Sequence, residues 1–245
     1  MLRALIFDVD GTLADTERAH LAAFNAAFVS CGVDWHWDVP LYNALLQVTG
    51  GKERLRHYIA LYHKMPGKSD AQITSWVETL HAAKTACYVQ EVSSGALPLR
   101  PGVGALIDEA QALGLTLAIA STTTPANIDA LLKPALGAQW RSRFAAIADG
   151  ASAPLKKPHP QAYEQVLSAL ALSPADCLAI EDSQQGLRAA TAAGLPTVVT
   201  PSDLTKHQDF SAAWAVFPSL SQVSLTQLHA LHTRYLAGRS APSPH

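Results

Sequence analysis

The chain has 245 residues, 49% of them hydrophobic, with a formal net charge of −2, which is enough for one large domain, alone or with a second small one, around a sizeable core. No broad basic excess exists to neutralise a nucleic acid or an anionic membrane, so neither partner is expected. Cys31, Cys87 and Cys177 lie far apart without metal-ligand spacing, which excludes a disulfide framework or a Cys-rich zinc site.

Residues 2–9 open the chain as a short apolar run bounded by Asp-Gly, and predict a buried strand. They lack the basic-then-apolar plan of a signal peptide, and no apolar run nears a membrane span, so a cytoplasmic protein is expected. With no assembly signal, a monomer is the default. From about 16 to 92 strand signal is scarce while helical periodicity runs through 19–29, 41–46, 52–62 and 70–92. An all-helical segment, 16–92, is predicted there, returning through the proline- and small-residue-rich 93–102. Trp35 and Trp37, either side of His36, read as packing at a turn between two of its helices.

Farther on, apolar runs at 115–120, 144–148, 177–180 and 196–200 alternate with helical patterns at 103–113, 127–132, 160–170 and 184–193. Such alternation predicts a doubly wound parallel α/β core made of 1–15 and 93–236. Residues 237–245 predict a disordered tail.

The chemistry gathers where the predicted strands end. Asp8 and Asp10, spaced i and i+2, address one site if the first strand extends that far; the other reading is an acidic Asp-Gly turn. In a parallel α/β sheet, ligands collect at the carboxyl ends of strands. Two close carboxylates repel, a divalent cation relieves the repulsion, and hard oxygen donors suit Mg²⁺. The second strand closes in Ser121, Thr122, Thr123 and Thr124, "KKPHP" carries Lys156 and Lys157, and the fourth strand closes in Glu181, Asp182 and Ser183. A hydroxyl, a cation and a second carboxylate pair at one sheet edge are what phosphoryl transfer requires.

The ordered set DVDGTL, a strand-closing Ser121, Lys157-Pro before a helix and Glu181-Asp182-Ser183 resembles the haloacid dehalogenase superfamily of phosphohydrolases across nearly the whole chain. The resemblance implies a small α-helical cap over the core. It implies Asp8 as nucleophile, forming an aspartyl phosphate, and Asp10 as general acid and then base. Ser121 and Lys157 would bind the phosphoryl oxygens. Mg²⁺ would be held by the Asp8 carboxylate, the Asp10 carbonyl and Asp182, with Glu181 contributing directly or through water.

Specificity is expected from the cap. Glu17 and His20 stand near the start of its first helix, where they read either as substrate contacts or as a helix-start acid and a structural histidine. Gly50 and Gly51 precede Lys52 and Arg54 at a predicted helix start, a ready anion site, although a mixed charge run is also a solvated face. Through cap and core together, "TGGKERL", "RPGV" and "TTT" included, the chain is similar to the superfamily's xylulose-1,5-bisphosphate phosphatases, which remove an inhibitory by-product of Rubisco. That likeness implies a sugar bisphosphate substrate lined by Glu17, His20, Tyr42, Gly50, Gly51, Lys52 and Arg54, with Thr122, Thr123, Thr124 and Asn127 from the core. A β-phosphoglucomutase-like isomerase, which keeps the same Asp pair, cap and lysine, or another small sugar-phosphate phosphatase is the alternative.

Overall fold

A computed structural model describes residues 1–63, 65 and 67–240. Its centre is a six-stranded, all-parallel sheet in the order β3-β2-β1-β4-β5-β6. The strands are β1 (Ala4–Phe7), β2 (Thr116–Ala120), β3 (Ala146–Ala148), β4 (Cys177–Glu181), β5 (Thr197–Val199) and β6 (Ala215–Val216). Every residue of β1 and β4 is buried, as expected for strands covered on both faces. The chain winds outward from β1 in both directions, so the crevice beyond β1 and β4 is the topological switch point where such sheets bind ligands.

The core helices are α5 (Val103–Ala112), α6 (Pro125–Leu136), α7 (Gln161–Leu170), α8 (Gln184–Ala192) and α9 (Leu225–Ser240). Helix α6 starts at Pro125 because Thr124 caps it, accepting from the Asn127 amide, and proline is pre-set for the first helical turn. Two expectations need correction. Strand β6 is an addition: two half-exposed residues carry too little apolar signal to be read. The expected tail starts too early, because 237–240 continue α9; residues 241–245 lie outside the described part.

Between β1 and α5 stand four helices, α1 (Glu17–Ser30), α2 (Val39–Leu45), α3 (Gly51–Tyr62) and α4 (Asp70–Val92). They enclose their own core, with Phe24, Phe28, Trp37, Tyr42, Leu55 and Tyr58 at its centre. Trp35 and Trp37 pack there edge-on against Phe28 and Tyr58, as structural aromatics. The lower ends of α1 and α4 join the main core through Ala19, Ala23, Tyr88 and Val92. Arg100 fastens the return segment, donating to the carbonyls of Gly11, Thr200 and Pro201 and pairing with Asp15 at 3.2 Å. Among the described residues no helix is long and apolar enough to cross a membrane.

Candidate active site

Strand β1 stops at Phe7, so Asp8 and Asp10 lie in the loop just past it rather than on the strand. They still face one cavity, of about 600 Å³, between the sheet edge and the four helices above. Lys157 Nζ bridges Asp8 Oδ1 and Glu181 Oε1, both at 2.6 Å, and all three side chains are at most 9% exposed. Asp182 follows β4 and accepts from the Thr205 hydroxyl at 3.2 Å. It comes close because Gly11, at φ +79°, has no side chain: a Cβ there would lie 2.2 Å from Asp182 Oδ2.

Asp8, Glu181 and Asp182 each offer an oxygen within 4.8 Å of the others. Burial, together with the neighbouring carboxylates Glu17, Asp8 and Glu181, raises the Asp182 pKa well above the usual range. Asp8 is pushed up to about 7, chiefly by burial, with Lys157 opposing and Glu181 and Asp10 adding to it. Among the described residues the Asp8 side chain is hydrogen-bonded through Oδ1 alone. A hard divalent cation fits this arrangement: buried carboxylate oxygens, an excess of negative charge, and lone pairs left over.

Asp10 belongs to a different network. Its Oδ1 accepts from Thr16 Oγ1 at 2.7 Å and from His20 Nε2 at 3.0 Å, while Lys84 Nζ lies 2.7 Å from His20 Nδ1. Thr16 and His20 stand one helical turn apart on α1 and so share a face. Thr16 occupies the N-cap of α1, yet its hydroxyl serves Asp10 rather than a helix amide. Burial and the charge of Lys84 hold the His20 pKa down to about 4, so the ring is neutral at neutral pH: Nδ1 accepts from the lysine and Nε2–H donates to Asp10. Burial alone would raise Asp10, but the His20 ring, the Thr16 hydroxyl and the Lys84 charge outweigh it and hold the carboxyl well below its ordinary range.

The cap wall of the cavity holds Glu17, Tyr42, Gly50, Gly51, Lys52 and Arg54. Burial, then the Asp10 charge, pushes Glu17 up to about 8. Arg54 is partly committed elsewhere: it donates to the carbonyls of Leu45 and Val48 at 3.2 Å and lies 5.3 Å over the Tyr42 ring, bracing the loop ahead of α3. Lys52 is half-exposed and 3.6 Å from Glu78.

From the core, Thr122, Thr123, Thr124 and Asn127 line the cavity, with Asn127 Nδ2 donating to Thr123 Oγ1 at 2.9 Å. Ser121 and Glu181 lie behind that lining. Ser121 is 1% exposed and its hydroxyl accepts from the Thr123 amide, which shapes the threonine loop. Sequence reasoning missed Lys84, His81 and Gln185, which also face the cavity. Lys156, next to Lys157 in the chain, faces the cavity too, its Nζ donating to the Gly150 carbonyl at 2.7 Å. No local motif marks Lys84; only the packing of α4 on α1 brings it to His20.

The family model of haloacid dehalogenase-like hydrolases matches residues 2–194. The chain belongs to that family. Among curated relatives of these hydrolases, it is 56% identical to "Protein CbbY, plasmid" of Cupriavidus necator over 219 residues, 89% of this chain and 86% of that one. A crystal structure of CbbY from Rhodobacter sphaeroides in complex with phosphate superposes with a TM-score of 0.87 at 40% identity, covering 94% of this chain and 100% of that one. A mutant of the same protein, in complex with xylulose-(1,5)bisphosphate, superposes at 0.85 with 40% identity over 93% of this chain and 99% of that one. The enzyme class follows: this is a CbbY-like sugar-phosphate phosphatase of the haloacid dehalogenase type.

Proposed function

We propose that the enzyme is a Mg²⁺-dependent sugar bisphosphate phosphatase that cleaves xylulose 1,5-bisphosphate to xylulose 5-phosphate and phosphate, removing an inhibitor of Rubisco. The observation that carries this reading is one cavity lined both by Asp8, Asp10 and Lys157 of the core and by Gly50, Gly51 and Lys52 at the α3 N-terminus of the cap, which brings two sets of anion-binding groups to one substrate. The choice of substrate is supported by the relative in complex with xylulose-(1,5)bisphosphate. A cytoplasmic location goes with this reading, supported by three free cysteines, and a monomer is its default assembly.

Asp8, Asp182 and the Asp10 carbonyl would hold Mg²⁺, which screens the phosphate from the carboxylates. Asp8 attacks phosphorus; an Asp8–phosphorus bond forms as the bond to the sugar oxygen breaks. Asp10 gives its proton to that oxygen and later takes one from the water that hydrolyses the aspartyl phosphate. An arriving phosphate anion favours the protonated form that the first step needs, and the His20 and Thr16 donors favour the carboxylate that the second needs. Lys157, aimed at Asp8, meets the phosphoryl oxygens.

The test is phosphate release, with Mg²⁺ and with EDTA, from xylulose 1,5-bisphosphate, ribulose 1,5-bisphosphate, fructose 1,6-bisphosphate and glucose 1-phosphate. The reading expects Mg²⁺-dependent preference for the xylulose compound. Indiscriminate release overturns the substrate, and conversion of β-glucose 1-phosphate to glucose 6-phosphate without release overturns the reaction.

A further inference from the structure

Glu181 is the most enclosed carboxylate of the site, 0% exposed at the end of β4 beneath the first turn of α8. The room it occupies exists only because residue 186 is glycine: a Cβ there would lie 2.0 Å from the Glu181 carboxylate. Each of its oxygens is taken twice. Oε1 accepts from Lys157 Nζ at 2.6 Å and from the Tyr163 hydroxyl at 2.7 Å. Oε2 accepts from the Asp182 amide at 3.2 Å and the Ser183 hydroxyl at 3.3 Å. A carboxylate has about four lone-pair positions, so the protein itself saturates this one. Asp8, by contrast, is engaged through one oxygen, and Asp182 faces the cavity that Glu181 does not reach.

Tyr163 completes the arrangement from α7. It stands six residues beyond Lys157, is fully buried, and meets that lysine twice: through Glu181, and through its ring, 5.1 Å from Lys157 Nζ. Two independent contacts thus fix one ammonium group on the line to Asp8.

The geometry points to Glu181 and Tyr163 as a clamp that positions Lys157 for the phosphoryl group, with Glu181 outside the coordination sphere of the metal. This rests on the phosphatase reading and assigns to Glu181 a role other than the ligand expected from sequence. The clamp holds the lysine where Asp8 and an incoming phosphate compete for it, and without it Lys157 has Asp8 as its sole charged partner among the described residues.

The experiment is calorimetric titration of the intact chain with Mg²⁺ alone and, in saturating Mg²⁺, with inorganic phosphate, for wild type, Glu181→Gln, Tyr163→Phe, the double variant and Asp182→Asn. Both clamp changes are near-isosteric, and circular dichroism confirms that each variant is folded. Asp182→Asn should weaken Mg²⁺ by more than about 100-fold, whereas Glu181→Gln should shift it by less than about tenfold while weakening phosphate by about tenfold. Tyr163→Phe should weaken phosphate by about threefold with Mg²⁺ unmoved, and the double variant should bind phosphate no more weakly than Glu181→Gln alone, because the two act through one group. Loss of Mg²⁺ in Glu181→Gln as deep as in Asp182→Asn overturns the clamp and leaves the phosphatase reading standing, as does strictly additive loss of phosphate binding. A wild type that binds neither Mg²⁺ nor phosphate overturns both.

Discussion

The sheet edge and the cap wall both keep charge out of water, but by opposite means. At the sheet edge, buried groups neutralise one another: Lys157 lies between Asp8 and Glu181, each placed by the end of a central strand. In the cap, cations lean on aromatic rings and backbone carbonyls: Lys84 lies 5.1 Å from the Phe24 ring and 5.0 Å from the Tyr88 ring, and Arg54 rests on Tyr42 and two loop carbonyls. Strand register fixes the first set; packing of four helices around an aromatic core fixes the second. Damage to the edge should therefore appear in the chemistry, and damage to the cap in stability and in the choice of substrate.

The sharpest contrast comes from Asp8→Asn. It removes the proposed nucleophile and keeps the shape, so phosphate release should fall by about 10⁴-fold or more. Its folding should not suffer, since the amide relieves a buried carboxyl whose pKa already stands near 7. A variant that keeps one-tenth of the activity would break the comparison at its core end.

Trp37→Ala tests the other end. Trp37 is 1% exposed and packs against Phe24, Phe28, Tyr42 and Tyr58, so its loss should cost about 3–5 kcal/mol in urea unfolding. The destabilisation should show as an early transition of cap fluorescence ahead of the core. A single unshifted transition would mean that the cap draws its order from the sheet below.

Metal and pH separate the regions by linkage. The Asp8 pKa rises from 3.8 unfolded to about 7 folded, so between those values the native chain holds the extra proton and its stability falls as pH rises. Under the proposed function, Mg²⁺ binds the folded form and would offset that loss. The gain in Tm from Mg²⁺ should thus grow by a few degrees between about pH 5 and about pH 8, and Asp8→Asn should flatten it. An equal gain at both pH values would mean that the cation does not share its site with Asp8.

The same division governs what the sequence discloses. Asp8, Asp10, Lys157 and Asp182 are legible because each follows a short apolar strand or precedes a helix in a fixed local spelling, and parallel sheets gather such ends on one edge. Glu181 shares that spelling and yet turns inward, since its neighbours in space, Tyr163 and Gly186, give no hint of their proximity. Lys84 follows two alanines, Ala82 and Ala83, and reaches His20 only through helix packing. Helix α9 has a readable pattern, Leu225, Leu228 and Leu231 all buried, but no motif calls attention to it.

Arg54→Ala gives the smallest effect and the finest cut. Arg54 lines the cavity but spends its donors on the carbonyls of Leu45 and Val48, so it holds the loop that carries Gly50 and Gly51 toward the substrate. If the far phosphate is bound by that loop, the substitution should raise KM for the bisphosphate by about tenfold with kcat nearly unchanged. Turnover of a small generic phosphate ester, which reaches only the sheet edge, should then stay within about twofold of wild type. Equal loss on both substrates would place Arg54 with the chemistry rather than with recognition. The boundary between the two regions would then run through α3 instead of beneath it.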